Sequence, residues 1–315
     1  MSLAMVFPGQ GSQSLGMMSK LNEVGPEIQA TFAEASEVLG YDLWKICQEG
    51  PIESLNTTEC TQPAMLAAGV ATFRLWRARG GANPTMMAGH SLGEFSALVA
   101  AGRLDFKTAV GLVKFRAESM QAAVPPGLGA MAAILGLEDT DVESACEQAA
   151  QGEIVEAVNF NSPGQVVIAG HATAVTRAIE IATAKGAKRA LLLPVSVPSH
   201  SSLMRPAALR LSERLAMIPI AARPSFHVSR YGVDIKVDAS SDDIRAGLVK
   251  QLHTPVYWAA TVRTMIAAGA TEIIECGPGK VLTGLNRRVD KNRGLKMLAL
   301  EDPQGLEDAL NTVNQ

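Results

Sequence analysis

The chain has 315 residues, of which 47% are hydrophobic and 19% are charged, and its formal net charge is -3. A chain of this size and composition folds as a globular protein with room for one large core and a smaller domain. Two classes of function are excluded. The richest apolar segment, residues 64–76, contains Arg74 and falls short of the roughly 20 residues that span a bilayer. An acidic chain without runs of Lys and Arg is not expected to bind nucleic acid.

The cysteines and the first residues indicate the compartment. Residues 1–7 lack the basic start and the long apolar stretch of a signal peptide, so we expect a cytoplasmic protein. The cysteines are widely spaced, with neither a CxxC pattern nor a nearby pair of histidines, which argues against a zinc site and a disulfide framework. We therefore expect reduced, mostly buried thiols at Cys47, Cys60, Cys146 and Cys276.

The N-terminal part of the chain predicts strands of a sheet covered by helices. Residues 3–7 form a compact apolar strand, and helical periodicity with a proline in the first turn extends over 26–39 and 63–79. After the first strand, the glycines beside Gln10 would let the loop 9–13 pack closely against another part of the protein; a flexible surface loop is the alternative. No Gly-Lys-Ser/Thr follows, which excludes a Walker phosphate loop.

The motif Gly89-His90-Ser91-Leu92-Gly93 lies between an apolar strand at 85–88 and a predicted helix at 92–101. A serine between two glycines at a strand-to-helix turn is the pattern of a nucleophile elbow. The turn directs the first N–H groups of the helix, beginning with Leu92, towards the place where an anionic intermediate would form. A simple glycine-flanked turn with a capping serine is the alternative interpretation.

Arg116 lies on the apolar face of a predicted helix over 106–123, for which Asp105 is the natural N-cap. An inward guanidinium keeps its proton and needs an anionic partner, which is either a carboxylate of the protein or one brought by a ligand. An arginine that extends to the rim of the protein is the alternative.

The pattern changes after Gly127. Apolar runs and helical periodicity alternate in the order βαββαβ, which is the signature of a small ferredoxin-like domain. Its strands are predicted at 130–135, 154–158, 165–169 and 189–195, and its helices at 139–149 and 172–185. The segment 159–164 is predicted to be a loop between two of these strands.

The remaining candidates lie after this inserted segment. His200 is on a loop at the junction of the two domains, where a histidine is either structural or part of a site at the domain interface. Gln251 falls in the last turn of a predicted helix over 242–252, where main-chain carbonyls lack partners within the helix. Buried strands are predicted at 226–228, 272–275 and 296–300, and a tight turn at 277–279.

Taken together, these motifs resemble bacterial malonyl-coenzyme A:acyl carrier protein transacylases along nearly the whole chain. The resemblance is carried by residues 7–13, 89–94, 159–170, 197–200 and 277–280 together with Arg116 and Gln251. It implies an α/β fold, with an α/β-hydrolase-like large domain built on a parallel sheet and an inserted ferredoxin-like small domain. The corresponding boundaries are 1–126 and 197–315 for the large domain and 127–196 for the small one.

The resemblance also implies a role for each candidate. Ser91 matches the nucleophile, His200 the general base, the backbone carbonyl of Gln251 the group that orients the imidazole, Gln10 and Leu92 the two backbone oxyanion donors, and Arg116 the arginine that binds the malonyl carboxylate. A carbonyl partner for His200 fits the absence of a compelling acid between residues 91 and 200. One departure is Ser229-Arg230-Tyr231, where the family commonly has asparagine.

The implied reaction is ping-pong transfer of a malonyl group from malonyl-CoA to the phosphopantetheine thiol of acyl carrier protein, supplying fatty acid synthesis. No metal or redox cofactor is expected, and a monomer is preferred on family grounds. With an unperturbed histidine as the base, activity would decline as the pH drops through about 6.5.

Three alternatives remain open. A thioesterase or esterase would share Ser91 and His200 and differ in using water to resolve the acyl-enzyme. A non-catalytic module would bind acyl carrier protein or act as a scaffold. An acyltransferase of polyketide assembly would take a branched malonyl unit. The docking surface for an acidic carrier is also open, because the basic candidates Lys188, Arg189, Arg287 and Arg288 are equally typical of a solvated face.

Overall fold

The computed structural model describes residues 2–195, 197–221, 227–230, 234–236, 240–291 and 294–313. Its strands are β1 (Leu3–Phe7), β2 (Met86–Gly89), β3 (Gly129–Leu135), β4 (Val155–Ser162), β5 (Gln165–His171), β6 (Arg189–Leu192), β7 (His227–Arg230), β8 (Asp234–Lys236), β9 (Glu272–Glu275) and β10 (Lys296–Ala299). Its α-helices are α1 (Ser19–Asn22), α2 (Glu27–Leu39), α3 (Leu43–Glu49), α4 (Ile52–Leu55), α5 (Thr58–Ala78), α6 (Gly93–Ala100), α7 (Phe106–Ala123), α8 (Asp139–Ala150), α9 (Ala172–Ala184), α10 (Arg205–Ala216), α11 (Ser241–Gln251), α12 (Trp258–Ala267), α13 (Val281–Val289) and α14 (Pro303–Val313).

The larger of the two sheets has the strand order β10-β9-β1-β2-β7-β8. All its neighbouring strands are parallel except β7 and β8. Every residue of β1 is buried, as expected for a central parallel strand that is covered by helices on both faces. The predicted parallel sheet is therefore confirmed, and its central strands β1 and β2 end beside each other, next to the loop 9–13 and the elbow.

The second sheet is antiparallel, with the order β4-β5-β3-β6, and is formed by the segment between α7 and α10. Its strands and helices follow the chain order βαββαβ that the sequence predicts. Helices α8 and α9 pack against it over a hydrophobic cluster separate from that of the large sheet, which includes Ile134, Val142, Ile168 and Val175. The chain is thus an α/β protein with a parallel sheet and a distinct antiparallel one.

Strand β4 is longer than the sequence predicts. We predicted a loop at 159–164, but β4 continues to Ser162 because its pairing with β5 runs on to the pair Ser162–Gln165. Val256, from the loop before α12, adds an isolated bridge at Asn159. The Val256 N–H donates to Val158 O at 2.8 Å, and the Phe160 N–H donates to Val256 O at 2.9 Å. The ring of Phe160 also stacks on Tyr257 at 5.0 Å. Most of the predicted loop is therefore strand, and only residues 163 and 164 separate β4 from β5.

Other predicted boundaries shift for local reasons. Helix α5 begins at Thr58 and not at Pro63, because the Thr57 side chain caps it by accepting the Cys60 N–H. Gln62, just outside the predicted range 63–79, is consequently a buried residue within α5. Strand β6 ends at Leu192, three residues earlier than predicted. A short 3-10 turn at Ser202–Met204 precedes α10.

The cysteines agree with the sequence analysis, since all four are free and buried. Among the described residues, no helix combines the length and the apolar character that crossing a membrane requires.

Candidate active site

The elbow is a tight turn between β2 and α6. Ser91 has φ 51°, in the left-handed region that non-glycine residues seldom occupy. A Cβ on Gly89 would overlap the main chain of Gly93 and Glu94, and a Cβ on Gly93 would overlap the Phe7 carbonyl. Only glycine fits at either position. The two glycines let the helix start directly over the strand end and hold Ser91 at the tip.

His200 lies directly against Ser91. Its Nε2 atom is 2.8 Å from Ser91 Oγ, and its Nδ1 atom is 2.7 Å from the backbone oxygen of Gln251. A carbonyl oxygen can only accept, so Nδ1 carries the proton and Nε2 is left to accept the Ser91 hydroxyl proton. The His200 N–H also donates to Leu252 O at 3.0 Å, which fixes the main chain of the histidine, whose φ is 67°.

The imidazole of His200 is held neutral by its surroundings. The residue is only 3% exposed, and burial, followed by the nearby positive charge of Arg116, lowers its pKa to about 3. The expectation that activity would fall as the pH passes 6.5 assumed a solvated imidazole, and the lowered pKa of this buried one shifts the expected fall to lower pH. Burial also lowers the pKa of His90, the residue before the serine.

Arg116 points into the same site from α7 and is 1% exposed. Its Nη1 atom donates to Gln62 Oε1 at 2.8 Å and its Nη2 atom to Gln251 Oε1 at 3.0 Å. Nη2 is also 3.4 Å from Ser91 Oγ. Both amide oxygens are neutral groups, and together they aim the guanidinium at the serine.

The side chain of Gln251 is a second link that sequence analysis missed. Its Nε2 atom donates to the backbone oxygen of Ser91 at 3.0 Å and to the carboxylate of Glu94. No periodic pattern in the sequence predicts these contacts, because Gln251 is 160 residues from Ser91 and 157 from Glu94. The one available signal was the position of Glu94 in the first turn of α6, three residues after the serine.

Gln10 and Leu92 line the cavity beside Ser91. The loop that carries Gln10 approaches the elbow closely, since a Cβ on Gly9 would be 2.5 Å from the His90 oxygen. Within the described part of the chain, neither the Gln10 N–H nor the Leu92 N–H donates a hydrogen bond to another protein group. Two unused main-chain donors therefore lie at the elbow.

The cavity around Ser91 lies between the two sheets and has a volume of about 370 Å³. One wall is formed by the elbow, the loop 9–13 and Arg116, and the other by residues of the antiparallel sheet and the segment after it. The second wall is mostly apolar and includes Met131, Ala133, Val167, Leu193 and Val195. The serine thus lies in a cavity that has one polar and one mostly apolar wall.

The basic candidates lie on different elements, and one of them is linked to the cavity. Arg288 donates to Gln165 Oε1 at 2.6 Å, and Gln165 lines the cavity, so Arg288 is at its rim. Arg287 donates to Met297 O at 2.9 Å on the neighbouring strand β10. Lys188 and Arg189 are exposed, Arg189 being the first residue of β6.

Ser229 and Arg230, where the family pattern commonly has asparagine, are in β7 next to β2, and Tyr231 lies outside the described residues. In the described ranges, no three His, Cys, Asp or Glu side chains are grouped so that they could hold a metal ion.

Comparison with known proteins identifies the family to which this chain belongs. The model of the acyl transferase domain matches residues 4–297, so the fold and the elbow belong to the acyl transferase class. The malonyl CoA-acyl carrier protein transacylase of Escherichia coli strain K12 is 54% identical over 307 residues, which cover 98% of both chains. The chain belongs to the family of malonyl CoA-acyl carrier protein transacylases.

Solved structures agree with this assignment. The malonyl CoA-acyl carrier protein transacylase of Coxiella burnetii superposes with a TM-score of 0.96 at 47% identity, over all of this chain and 98% of that one. A malonyl-transacylase solved in complex with its type II PKS acyl-carrier protein superposes with a TM-score of 0.95 at 52% identity, over 99% of this chain and 100% of that one.

Proposed function

We propose that this chain transfers the malonyl group from malonyl-CoA to the phosphopantetheine thiol of acyl carrier protein, through a malonyl ester on Ser91. The observation that carries the proposal is the chain of contacts from Ser91 Oγ through His200 to the Gln251 carbonyl, with the Arg116 guanidinium 3.4 Å from the same oxygen. The reaction supplies the extender unit of fatty acid synthesis.

The first half-reaction loads the serine. His200 Nε2 takes the proton of Ser91 Oγ as that oxygen attacks the thioester carbonyl, and the negative charge that develops on the carbonyl oxygen is stabilised by the N–H groups of Gln10 and Leu92. The tetrahedral intermediate collapses with cleavage of the carbon–sulfur bond. The departing coenzyme A sulfur takes the proton from His200, which leaves a malonyl ester on Ser91.

The second half-reaction reverses these steps with another thiol. The phosphopantetheine thiol of acyl carrier protein gives its proton to His200, and its sulfur attacks the ester carbonyl. Ser91 Oγ leaves with the proton from His200, and the malonyl group departs on the carrier. Every proton and electron pair is supplied by the two thiols and by Ser91, so we propose that no metal or redox cofactor takes part.

Arg116 supplies selectivity in this scheme. The free carboxylate of a malonyl group is two bonds from the carbonyl carbon that Ser91 attacks, so it comes within reach of a guanidinium beside Ser91 Oγ. Two parallel N–H donors match the two carboxylate oxygens, and burial strengthens the attraction. An acetyl group has no carboxylate that could pair with Arg116.

We also propose the domain description that the resemblance implies. The parallel sheet, with the elbow at the end of β2, supports an α/β-hydrolase-like large domain of residues 1–126 and 197–315. The strand order β4-β5-β3-β6 supports a ferredoxin-like domain of residues 127–196. A cytoplasmic monomer is the proposed state, and the four unpaired cysteines fit a reducing compartment.

The test is to follow the acyl group. Wild-type protein mixed with malonyl-CoA should gain the mass of one malonyl group on Ser91, and holo acyl carrier protein should then remove it faster than water does. No mass gain would refute the scheme. Loss to water at the same rate would support a thioesterase, and wild-type biological activity of Ser91→Ala would support a non-catalytic role.

The carrier itself is a second question. The similar transacylase solved with a type II PKS acyl-carrier protein makes a polyketide carrier the second candidate acceptor. Transfer from malonyl-Ser91 to a fatty acid carrier and to a polyketide carrier should be measured side by side. Methylmalonyl-CoA in the loading step tests the branched extender unit.

A further inference from the structure

Glu94 is a buried carboxylate that the proposed reaction does not use. It lies in the first turn of α6, where a negative charge is favoured by the helix dipole, and it is 3% exposed. Its Oε2 atom accepts a hydrogen bond from Gln251 Nε2. Its own N–H donates to the backbone oxygen of Ser91 at 3.1 Å. The side chain and the main chain of Glu94 therefore both contact parts of the site.

The amide of Gln251 joins these groups in one network. Its nitrogen donates to the Glu94 carboxylate and to the Ser91 backbone oxygen, and its oxygen accepts from Arg116 Nη2. The reversed amide would put its oxygen against a carboxylate and its NH2 group against a guanidinium, and both contacts are repulsive. The carboxylate on one side and the cation on the other leave one favourable orientation.

We propose that Glu94 is a positioning residue that acts through the Gln251 side chain. It holds the amide so that Nε2 fixes the main chain of Ser91, whose φ of 51° is otherwise disfavoured, and so that Oε1 fixes Arg116. The backbone oxygen of Gln251 meanwhile orients His200. Gln251 thus positions the nucleophile Ser91, the base His200 and the Arg116 guanidinium. Glu94 in turn fixes the orientation of the Gln251 amide. The inference rests on the proposed function for its substrate assay only.

Two variants separate the contributions. Gln251→Met keeps the length of the side chain and the backbone carbonyl that holds His200, and removes only the amide. Glu94→Gln keeps the shape and removes the charge. Glu272→Gln is the matched control, because Glu272 is also buried, at 2% exposure, but starts β9 at the opposite end of the sheet from Ser91.

Four quantities are measured for each variant and for the double variant. They are kcat and KM for malonyl transfer, the rate at which a fluorophosphonate labels Ser91, and the midpoint of thermal unfolding. The labelling rate reports the reactivity of the serine without any acyl substrate, and is expressed per folded molecule.

We expect Glu94→Gln and Gln251→Met each to lower kcat and the labelling rate by about 10- to 100-fold, as small displacements of reacting groups do. The double variant should react within about threefold of Gln251→Met, since a residue that acts only through another adds nothing once the other is gone. Glu272→Gln should keep the wild-type rates. A residue that merely supports the fold would change the unfolding midpoint without this coupling.

Several results would overturn the proposal. One is a wild-type labelling rate in Glu94→Gln. Another is a double variant whose loss of rate is the product of the two single losses. A third is a loss of rate in Glu272→Gln equal to that in Glu94→Gln. A wild-type rate in Gln251→Met would do the same, even where Glu94→Gln yields too little folded protein to assay. Failure of the wild-type protein to transfer malonyl would reject the proposed function, while the labelling rates would still test the positioning role.

Discussion

Asn161 Oδ1 lies 2.8 Å from His90 Nε2, so a strand of the antiparallel sheet is bonded to the residue immediately before Ser91. An amide oxygen only accepts, so the proton of His90 is on Nε2. The His90 ring also lies 5.5 Å from that of Trp258. The elbow is therefore held from the other wall of the cavity as well as by its own glycines.

Asn161→Ala should weaken this connection. It leaves the Nε2–H of the half-buried His90 without its acceptor, which costs about 0.5–1.5 kcal/mol of unfolding free energy. Urea unfolding of both proteins measures the difference, and malonyl transfer should slow because the elbow loses a support. Unchanged stability together with unchanged kcat would show that the bond holds nothing in place.

Arg116→Ala should lower kcat/KM for malonyl-CoA by roughly 100-fold, because a buried, charge-assisted pair with the substrate is lost. Acetyl-CoA brings no second carboxylate, so its much slower loading should change little. The ratio of the two rates, measured by mass gain on Ser91, isolates the effect. Equal losses for both substrates would remove Arg116 from the selectivity role.

The pH dependence should follow the buried state of His200. Because its pKa is lowered to about 3, the imidazole stays unprotonated as the pH falls through 6.5, and single-turnover loading of Ser91 should be nearly flat from pH 8 to about 5. A loss of rate centred near 6.5 would mean that His200 is solvated in the working enzyme.

Stability should respond to pH where activity does not. The pKa of His200 is lower in the folded than in the unfolded state, so below about pH 6.5 the unfolded chain binds a proton that the folded protein does not. The unfolding free energy should therefore fall as the pH drops below that value. Comparing urea midpoints of wild type and His200→Ala between pH 7.5 and 5 tests this. The variant should lose less stability over that interval than the wild type.

Gln10 offers a test of a main-chain group. Gln10→Ala keeps the N–H and should leave kcat within a few-fold of wild type. Gln10→Pro removes the N–H and should lower kcat by about 100- to 1000-fold, the effect of losing one oxyanion donor. Similar rates for the two variants would place the oxyanion elsewhere.

The glycines of the elbow can be tested against a matched glycine. Gly93→Ala drives a methyl group into the Phe7 carbonyl and should cost more than about 3 kcal/mol, shown by urea unfolding. Gly111→Ala, in α7, meets only Val38 at 3.9 Å and should stabilise by roughly 0.5–1 kcal/mol. A mild effect at residue 93 would mean that the turn can relax.

Much of this fold follows from local pattern. The buried run of β1, the glycine spacing around Ser91, the Asp105 cap of α7 and the alternation of the inserted segment are each set by residues close in the chain. The inward face of α7 also indicated Arg116, because periodicity determines which side of a helix is buried.

Much of what the sequence left unresolved depends on contacts distant along the chain. The pKa of His200 depends on its burial next to Arg116, and the role of the Gln251 side chain depends on Glu94. Sequence also placed the start of α5 at its proline, although Thr57 provides the cap. The surroundings of His200 and Gln251 depend on residues that local pattern does not reveal, whereas the start of α5 depends on a cap directly before it.

The partner of His200 is a peptide oxygen, and this choice affects how the imidazole handles a proton. A carboxylate partner would stabilise the imidazolium ion with a full opposite charge, whereas a peptide oxygen offers only a dipole. The imidazolium formed during each half of the proposed reaction is consequently a strong acid that readily returns its proton to a departing sulfur or to Ser91. Such a base suits the reversible exchange of one thioester for another, in which neither direction is strongly downhill.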